Sequence, residues 1–217
     1  ERVIANGSAG LWNTMLNGTV GDDTPFAYIY FSAGGMGAGH NRDGLSATAF
    51  PSGIMGVPVE AIETAAPVLM HRRELRQDSG GAGEFRGGLG QEMALEVITG
   101  QPATHSCMYD RTTYPAQGLL GGLSGAVGEV VLSDGTHPHP KSRYTLEPNQ
   151  HVVLRLPGGG GFSKPTLRDP QRVLEDVRQG YVSLSSAKSS YGVIINSDSM
   201  TIDIEATQQA RKEMDNG

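Results

Sequence analysis

Short apolar runs separated by glycine and proline set the rhythm of this chain, and their periodicity changes near residue 169. Phe26-Ala27-Tyr28-Ile29-Tyr30-Phe31 is rich in strand formers and short, which predicts a buried or half-buried strand. It leads into Ser32 to His40, a loop whose four glycines permit positive φ or close backbone approach. Between Pro58 and Met70, Glu60 and Glu63 lie near Ile62, Val68 and Leu69; the pattern predicts one short helix stopped before Pro67. A polar stretch, His71 to Asp78, then gives way to a second glycine cluster, Gly80 to Gly90. Met93, Leu95 and Val97 alternate with Glu92, Ala94 and Glu96, the period of a strand with one wet face. His105 and Cys107 fall on one face of a further strand. Val127 to Leu132 predicts a strand ending in the Asp134-Gly135 turn, and Tyr144 to Asn149 reads as a polar approach to the strand His151–Leu156. That strand runs into Pro157 and four consecutive glycines, Gly158 to Gly161.

From Asp169 onward the signals are helical. Asp169-Pro170 reads as an N-cap followed by proline at the first helical position, Val173, Leu174 and Val177 share a face, and Gly180 stands where a C-terminal cap belongs. Ser183 predicts the cap of a second helix through Lys188, Thr201 to Ile204 a last short strand, and Glu205 to about Met214 a polar closing helix. The expected fold class is α+β: a sandwich- or barrel-like glycine-rich β region over 1–168, with a helical C-terminal section, 169–217, packed on it. Fixed-period repeats are absent from the sequence.

Composition narrows the function classes. The 217 residues hold 31 glycines and 12 prolines, about a fifth of the chain and below the roughly 25–30% of low-complexity sequences. A net charge of -6 argues against a nucleic-acid or anionic-membrane surface, because both need an electropositive footprint. Cys107, the single cysteine, cannot form an intrachain disulfide, which fits a reducing, cytoplasmic setting. The sequence starts at Glu1 with neither an initiator Met nor a charged-then-apolar leader, and Glu1 to Ala5 reads as chain already inside a structure. The expectation is a processed protein or a piece of a longer one.

Each candidate for chemistry has a plainer reading beside it. Gly34 to Gly39 follows a strand, as a phosphate cradle would, but His40-Asn41-Arg42-Asp43-Gly44 opens no amphipathic helix. Gly158 to Gly161 is followed by Ser163-Lys164-Pro165 rather than Gly-Lys-Ser/Thr, so tight-turn glycines are the expectation and no ATP site is visible. His137 with His139, and His40 with Asp43, are possible ligand pairs without a third member, so neither predicts a metal site. Cys107 reads as a buried small hydrophobe, and no Gly-x-Ser-x-Gly elbow is present. The densest constellation is Asp78 to Gly90, where an acid, a hydroxyl and an arginine share a glycine-freed backbone. It reads equally as a bulge in which Arg86 pairs with Asp78 to stitch the loop, or as part of a site.

Asp78 to Gly88, Asp-Ser-Gly-Gly-x-Gly-x-x-Arg-Gly-Gly, resembles the signature of the hydantoinase B / 5-oxoprolinase / acetone carboxylase family. Further stretches resemble it in the family's order: Pro58-Val59-Glu60 through Glu63 to Pro67, then Gly158–Gly161 with Arg168-Asp169-Pro170, Asp176-Val177 and Gly180, then Tyr191-Gly192-Val193 and Asp203 to Arg211. Two stretches depart from the family pattern and bear on substrate choice: Phe50-Pro51-Ser52 and Ser163-Lys164-Pro165.

The resemblance implies the C-terminal part of a B-type subunit more than twice this long. It implies an ATP-dependent amidohydrolase that cleaves a cyclic amide C–N bond, with ATP on a hydantoinase A-like partner. It also implies a divalent metal in the complex whose ligands lie in the N-terminal part of the B-type subunit rather than in this chain. Asp78, Ser79 and Arg86 are the residues expected to line or brace the pocket, followed by His40 and Asp43. The alternatives are ketone carboxylation on the same scaffold and a non-catalytic module that docks the partner.

Overall fold

We describe the protein from a computed structural model, which covers residues 3–8, 11–49 and 53–216. The departure at Phe50-Pro51-Ser52 and the opening pair Glu1-Arg2 lie outside the described residues.

Two antiparallel four-stranded sheets face each other. The first has the order β2-β1-β5-β7, formed by β1 (Trp12–Val20), β2 (Thr24–Ser32), β5 (Ala103–Met108) and β7 (Arg143–Leu146). The second has the order β3-β4-β8-β6, formed by β3 (Val68–Leu75), β4 (Gln91–Val97), β6 (Glu129–Leu132) and β8 (His151–Arg155). Alternation dictates what goes inside: Trp12 and Leu16 point inward from β1, Met93 and Leu95 from β4, Val152 and Leu154 from β8. Register lays Met93 opposite Leu154 and Leu95 opposite Val152, so apolar cross-strand pairs line the inner face. One core joins both sheets, with Ile62 of the short helix α1 (Val59–Ala65) closing an end. The fold is a mixed one dominated by sheet, as the sequence pattern predicts.

A polar thread crosses this core. Thr14 Oγ1 lies 2.7 Å from Tyr109 Oη, which lies 3.0 Å from His105 Nε2, and Tyr144 Oη meets His105 Nδ1. Trp12 stacks on Tyr109 at 4.2 Å between ring centroids. Burial pushes the His105 imidazole down to about 4, so it is neutral at pH 7.

Three strands differ from the sequence expectation. The short helix ends before Pro67 as expected, because the residue preceding that proline is extended, but Val68, Leu69 and Met70 then open a strand, β3, that the polar pattern hides. The polar run from His71 is therefore largely strand; its charges pair across the sheet, Arg72 with Glu92 and His71 with Glu96. Tyr144 to Leu146 belongs to β7 rather than to an approach loop, and β1 occupies what reads as glycine-punctuated chain.

The C-terminal elements are α2 (Pro170–Arg178), α3 (Leu184–Tyr191), the two-residue strands β9 (Ile195–Asn196) and β10 (Thr201–Ile202), and α4 (Ile204–Asn216). Asp169 accepts from Gln171 N at 2.8 Å and Ser183 from Ser186 N at 3.1 Å, so both caps form where the sequence places them. The second helix runs three residues past Lys188 and stops at Gly192, whose φ of 63° supplies the left-handed cap. Val173, Val182, Ala187, Tyr191 and Val193 form a second apolar cluster that takes in Ala82 of the glycine loop.

Between the sandwich and the helices lies a bundle of extended glycine segments. Gly158 N donates to Ala126 O and Gly161 N to Leu123 O, three residues apart on both segments. Gly159 N donates to Gly88 O and Phe162 N to Phe85 O, again three apart, while Gly160 N turns to Asn6 O. Bonds that rotate through successive neighbours every three residues belong to left-handed, three-residue-per-turn chains rather than to a pleated sheet. Residues 35–38 join the same bundle, Gly35 N bonding Pro157 O and Ala38 N bonding Gly160 O. The described glycines with positive φ lie elsewhere, at 21, 53, 100, 121, 135, 180 and 192. The cluster glycines are thus close-approach residues, which corrects the tight-turn reading. A Cβ on Gly35 would stand 1.8 Å from Gly88 O, and one on Gly158 would stand 1.8 Å from Ser79 O.

Candidate functional site

The signature segment runs along this bundle, and its side chains face different ways. Ser79 is fully buried; its Oγ donates to Arg76 O and accepts from Gly90 N at 2.9 Å, tying the two ends of the loop. Asp78 has a buried neighbour on one side only and sits at φ 58° on the surface, where Oδ1 accepts from Ser183 N at 2.8 Å at the start of α3. Arg86 makes other contacts. Its guanidinium lies over the Tyr181 ring at 5.3 Å, donates to Gly87 O at 2.8 Å and approaches Asp176 Oδ1 to 3.5 Å. The expected Arg86–Asp78 stitch is therefore replaced by an Arg86–Asp176 pair, while Asp78 spends its carboxylate on the Ser183 N–H.

Asp43 is where three segments meet. Its Oδ1 accepts from Arg86 N at 2.7 Å and Arg168 Nη1 at 2.8 Å; its Oδ2 accepts from Arg168 Nη2 at 3.0 Å and Arg172 Nη2 at 2.8 Å. Arg168, 1% exposed, continues to Asp176 Oδ2 through Nη2 at 2.7 Å and Nε at 3.1 Å, and to Glu84 O at 3.0 Å. Fork-to-carboxylate geometry of this kind is directional as well as strong. Burial opposes the charge on Asp43, but the Arg168 guanidinium, the Arg86 N–H and Arg172 outweigh it and hold the carboxyl below its usual range. Burial likewise opposes the Arg168 charge, and its two carboxylates overcome that and raise its pKa.

Of the five sequence candidates, Asp43 and Arg86 come together, Ser79 is locked in the bundle, Asp78 faces α3, and His40 is exposed at the tip of the turn closed by Gly39 N to Arg42 O. The partners that complete the cluster, Arg168, Arg172 and Asp176, lie outside those five candidates. Arg168 and Asp176 do fall in the tail stretch that carries part of the family resemblance, and that is the signal the sequence offers for them. Inside the cluster Arg86 Nε and Tyr191 Oη are buried without a hydrogen-bond partner among the described residues. Also among the described residues, no group of three His, Cys, Asp or Glu side chains converges to hold a metal ion. No helix among them is long and apolar enough to cross a membrane.

Residues 1–165 match the family model for hydantoinase B/oxoprolinase. The chain belongs to the hydantoinase B/oxoprolinase family. Among its relatives in this family, the caprolactamase beta subunit of Pseudomonas jessenii is 36% identical over 166 residues, covering 73% of this chain and 28% of that subunit. The B component of a putative D-/L-hydantoinase from Pseudomonas sp. (strain NS671) is 29% identical over 94% of this chain and 36% of its own length. The fold is similar to a chain of the ATP-dependent caprolactamase crystal structure from Pseudomonas jessenii, with a TM-score of 0.84 at 28% identity, covering 97% of this chain and 38% of that one. It is equally similar, at 0.84 and 25% identity, to a chain of nucleotide-free acetone carboxylase, covering 99% and 34%. The chain thus spans about a third of each of these matched chains. Relatives in this family are subunits of ATP-dependent hydrolases and carboxylases.

Proposed function

We propose that this chain is part of a B-type subunit in an ATP-dependent amidohydrolase that cleaves the C–N bond of a cyclic amide. What carries the reading is the likeness to caprolactamase, in sequence and in fold. A lactam resists hydrolysis because amide resonance stabilises the ground state and the nitrogen leaves poorly. Phosphoryl transfer from ATP to the amide oxygen, on an A-type partner, removes that resonance. Water can then add to the carbon, the C–N bond breaks with a proton going to nitrogen, and a second water hydrolyses the resulting acyl phosphate to the carboxylate, phosphate leaving with the oxygen it was given. The divalent metal that the resemblance implies would be held by the N-terminal part of the B-type subunit.

Within this chain the proposed roles follow the geometry. Asp43, Ser79 and Arg86 brace the scaffold on which the pocket is built, through Arg168 and the bundle. Asp78 fixes the start of α3 against it. His40 is the candidate whose exposed ring is free to face a substrate or the rest of the protein. In isolation the chain is expected to be inactive. A second reading, ATP-dependent carboxylation of a ketone, is favoured by the equal likeness to acetone carboxylase.

The test is turnover by the intact complex containing this chain, supplied with ATP and either hydantoin, 5-oxoproline or caprolactam, or with acetone and bicarbonate. ADP release coupled to ring opening without bicarbonate is the expected result. Bicarbonate-dependent consumption of acetone establishes the second reading instead. Tight association with the A-type partner and no turnover of either kind overturns both and leaves a docking module.

A further inference from the structure

Away from the bundle, a cleft of about 440 Å³ opens where the chain leaves β5 and where it approaches β7. That volume lies within the roughly 300–1,000 Å³ range of small-molecule sites. Its floor is rigid. Tyr109 is fully buried, stacks on Trp12 and donates its backbone N–H to Pro140 O, while Trp12 Nε1 donates to Asp110 O at 3.0 Å. Its walls are largely carbon, from Tyr109, Tyr114, His139 and Pro140.

The charges in this cleft are uneven. Lys141 Nζ already pairs with Asp110 Oδ1 at 2.7 Å, so those two cancel. Arg111 is left over. Among the described residues its guanidinium makes one long hydrogen bond, 3.4 Å to Pro115 O, and four of its five donors are unspent. Its backbone is equally particular: φ is 60°, and its carbonyl is held by Gly128 N at 2.8 Å. In a chain that uses glycine freely, a long side chain stands where glycine would be unstrained. Such strain persists where the surroundings impose it, and it concentrates at ligand-binding positions.

We propose that this cleft binds a small organic carboxylate with an apolar or flat body, its carboxylate gripped by the Arg111 fork and its body lying against Tyr114 and His139. One uncompensated cation suits a monoanion, because a dianion would bring a second charge with nothing to meet it. Fork geometry suits a bidentate oxyanion, the single charge favours a carboxylate over a dianionic phosphate, and the carbon walls select an apolar body over a bare inorganic ion. The site stands apart from the Asp43 cluster and does not depend on the reaction proposed above.

The experiment is calorimetric titration of the intact protein containing this chain with benzoate and with cyclohexanecarboxylate, against their neutral isosteres benzamide and cyclohexanecarboxamide. Both acids should bind and both amides should fail. Arg111→Gln should weaken the acids about tenfold or more, as loss of a charge-assisted pair requires. Arg111→Lys, which keeps the charge and loses the fork, should fall between. Tyr114→Ala changes a side chain that is 78% exposed, leaves the fold intact, and should weaken benzoate several-fold. Lys212→Gln on α4 removes a distant charge and should change nothing. Equal binding of acids and amides, binding indifferent to Arg111→Gln, or no binding up to about 10 mM would overturn the proposal.

Discussion

The sandwich and the glycine bundle sit side by side in one chain and are built on opposite principles. In the sandwich, side chains fill the space between backbones: Met93, Leu154 and Leu156 are fully buried, and every added methylene removes apolar surface from water. In the bundle, backbones fill the space themselves, and what matters is that side chains are missing. Its amides still find partners, in bonds that turn to a new neighbour at each residue. The sandwich is specified by what its residues are, the bundle by what they lack. Where the bundle meets the helices a third device appears beside the small apolar cluster around Ala82: Asp43, Arg86, Arg168 and Asp176 join the segments through buried ion pairs.

That contrast is sharpest in alanine substitutions. Gly35→Ala should have the largest effect, because the new methyl would sit 1.8 Å from a carbonyl oxygen that belongs to backbone and cannot swing away. Urea denaturation should show a loss of about 4 kcal/mol or more, or no folded protein at all. A variant as stable as the parent would mean the segments are free to separate. Next comes Asp176→Ala, which strips the buried Arg168 and Arg86 of a carboxylate and should lower stability by about 3–5 kcal/mol. A change under about 1 kcal/mol would put the cluster in the class of surface pairs.

The third effect belongs to the sandwich and is read by pH. His105 has a folded value of about 4, below the roughly 6.5 of an unfolded chain. Its neutral form therefore contributes stability fully above about pH 6.5, and that contribution is lost as pH falls toward 4, on the order of 3 kcal/mol in all. Asp43, also depressed, adds its loss only below the ordinary carboxylate range. Chemical denaturation at steps between pH 7 and 4 should show the slope, and His105→Gln should flatten it. An unchanged slope would mean that His105 opens to solvent. The smallest effect is Gly135→Ala: with φ 84° and nothing within 4 Å, it meets only a backbone preference and should cost about 1 kcal/mol. Equal losses at Gly35 and Gly135 would erase the distinction between the two kinds of glycine.

The same contrast explains what could be read from the sequence. Strands such as β2, β4 and β8 declare themselves because alternation or apolar runs are the direct trace of a sheet face. The caps at Asp169 and Ser183 are equally local and equally legible. β3 hides because its outward charges, Arg72 and His71, give it a polar run whose partners Glu92 and Glu96 lie on β4, and β1 hides because its buried Thr14 answers to Tyr109, 95 residues on. The bundle has no template among helix and strand periods, so its glycines resemble turns until their neighbours are known. The site is legible in part for the same reason. Asp78, Ser79 and Arg86 stand together in the sequence, whereas Asp43 and Arg168 are 125 residues apart and meet only in the fold.

The bundle also bears on how the chain reaches its native state. Residues 157–162 bond to segments near 6, 35–38, 85–88 and 119–126, so its central thread arrives last from a ribosome and must find partners made long before. Loop closures of that span are slow, and extended segments waiting with unpaired amides invite wrong pairings. The helices after Asp169 cannot dock through Arg168 until that thread is in place. Refolding of this chain should therefore be paced by the glycine segments, with the sandwich strands acquiring protection from hydrogen exchange before the amides of Gly158 to Gly161.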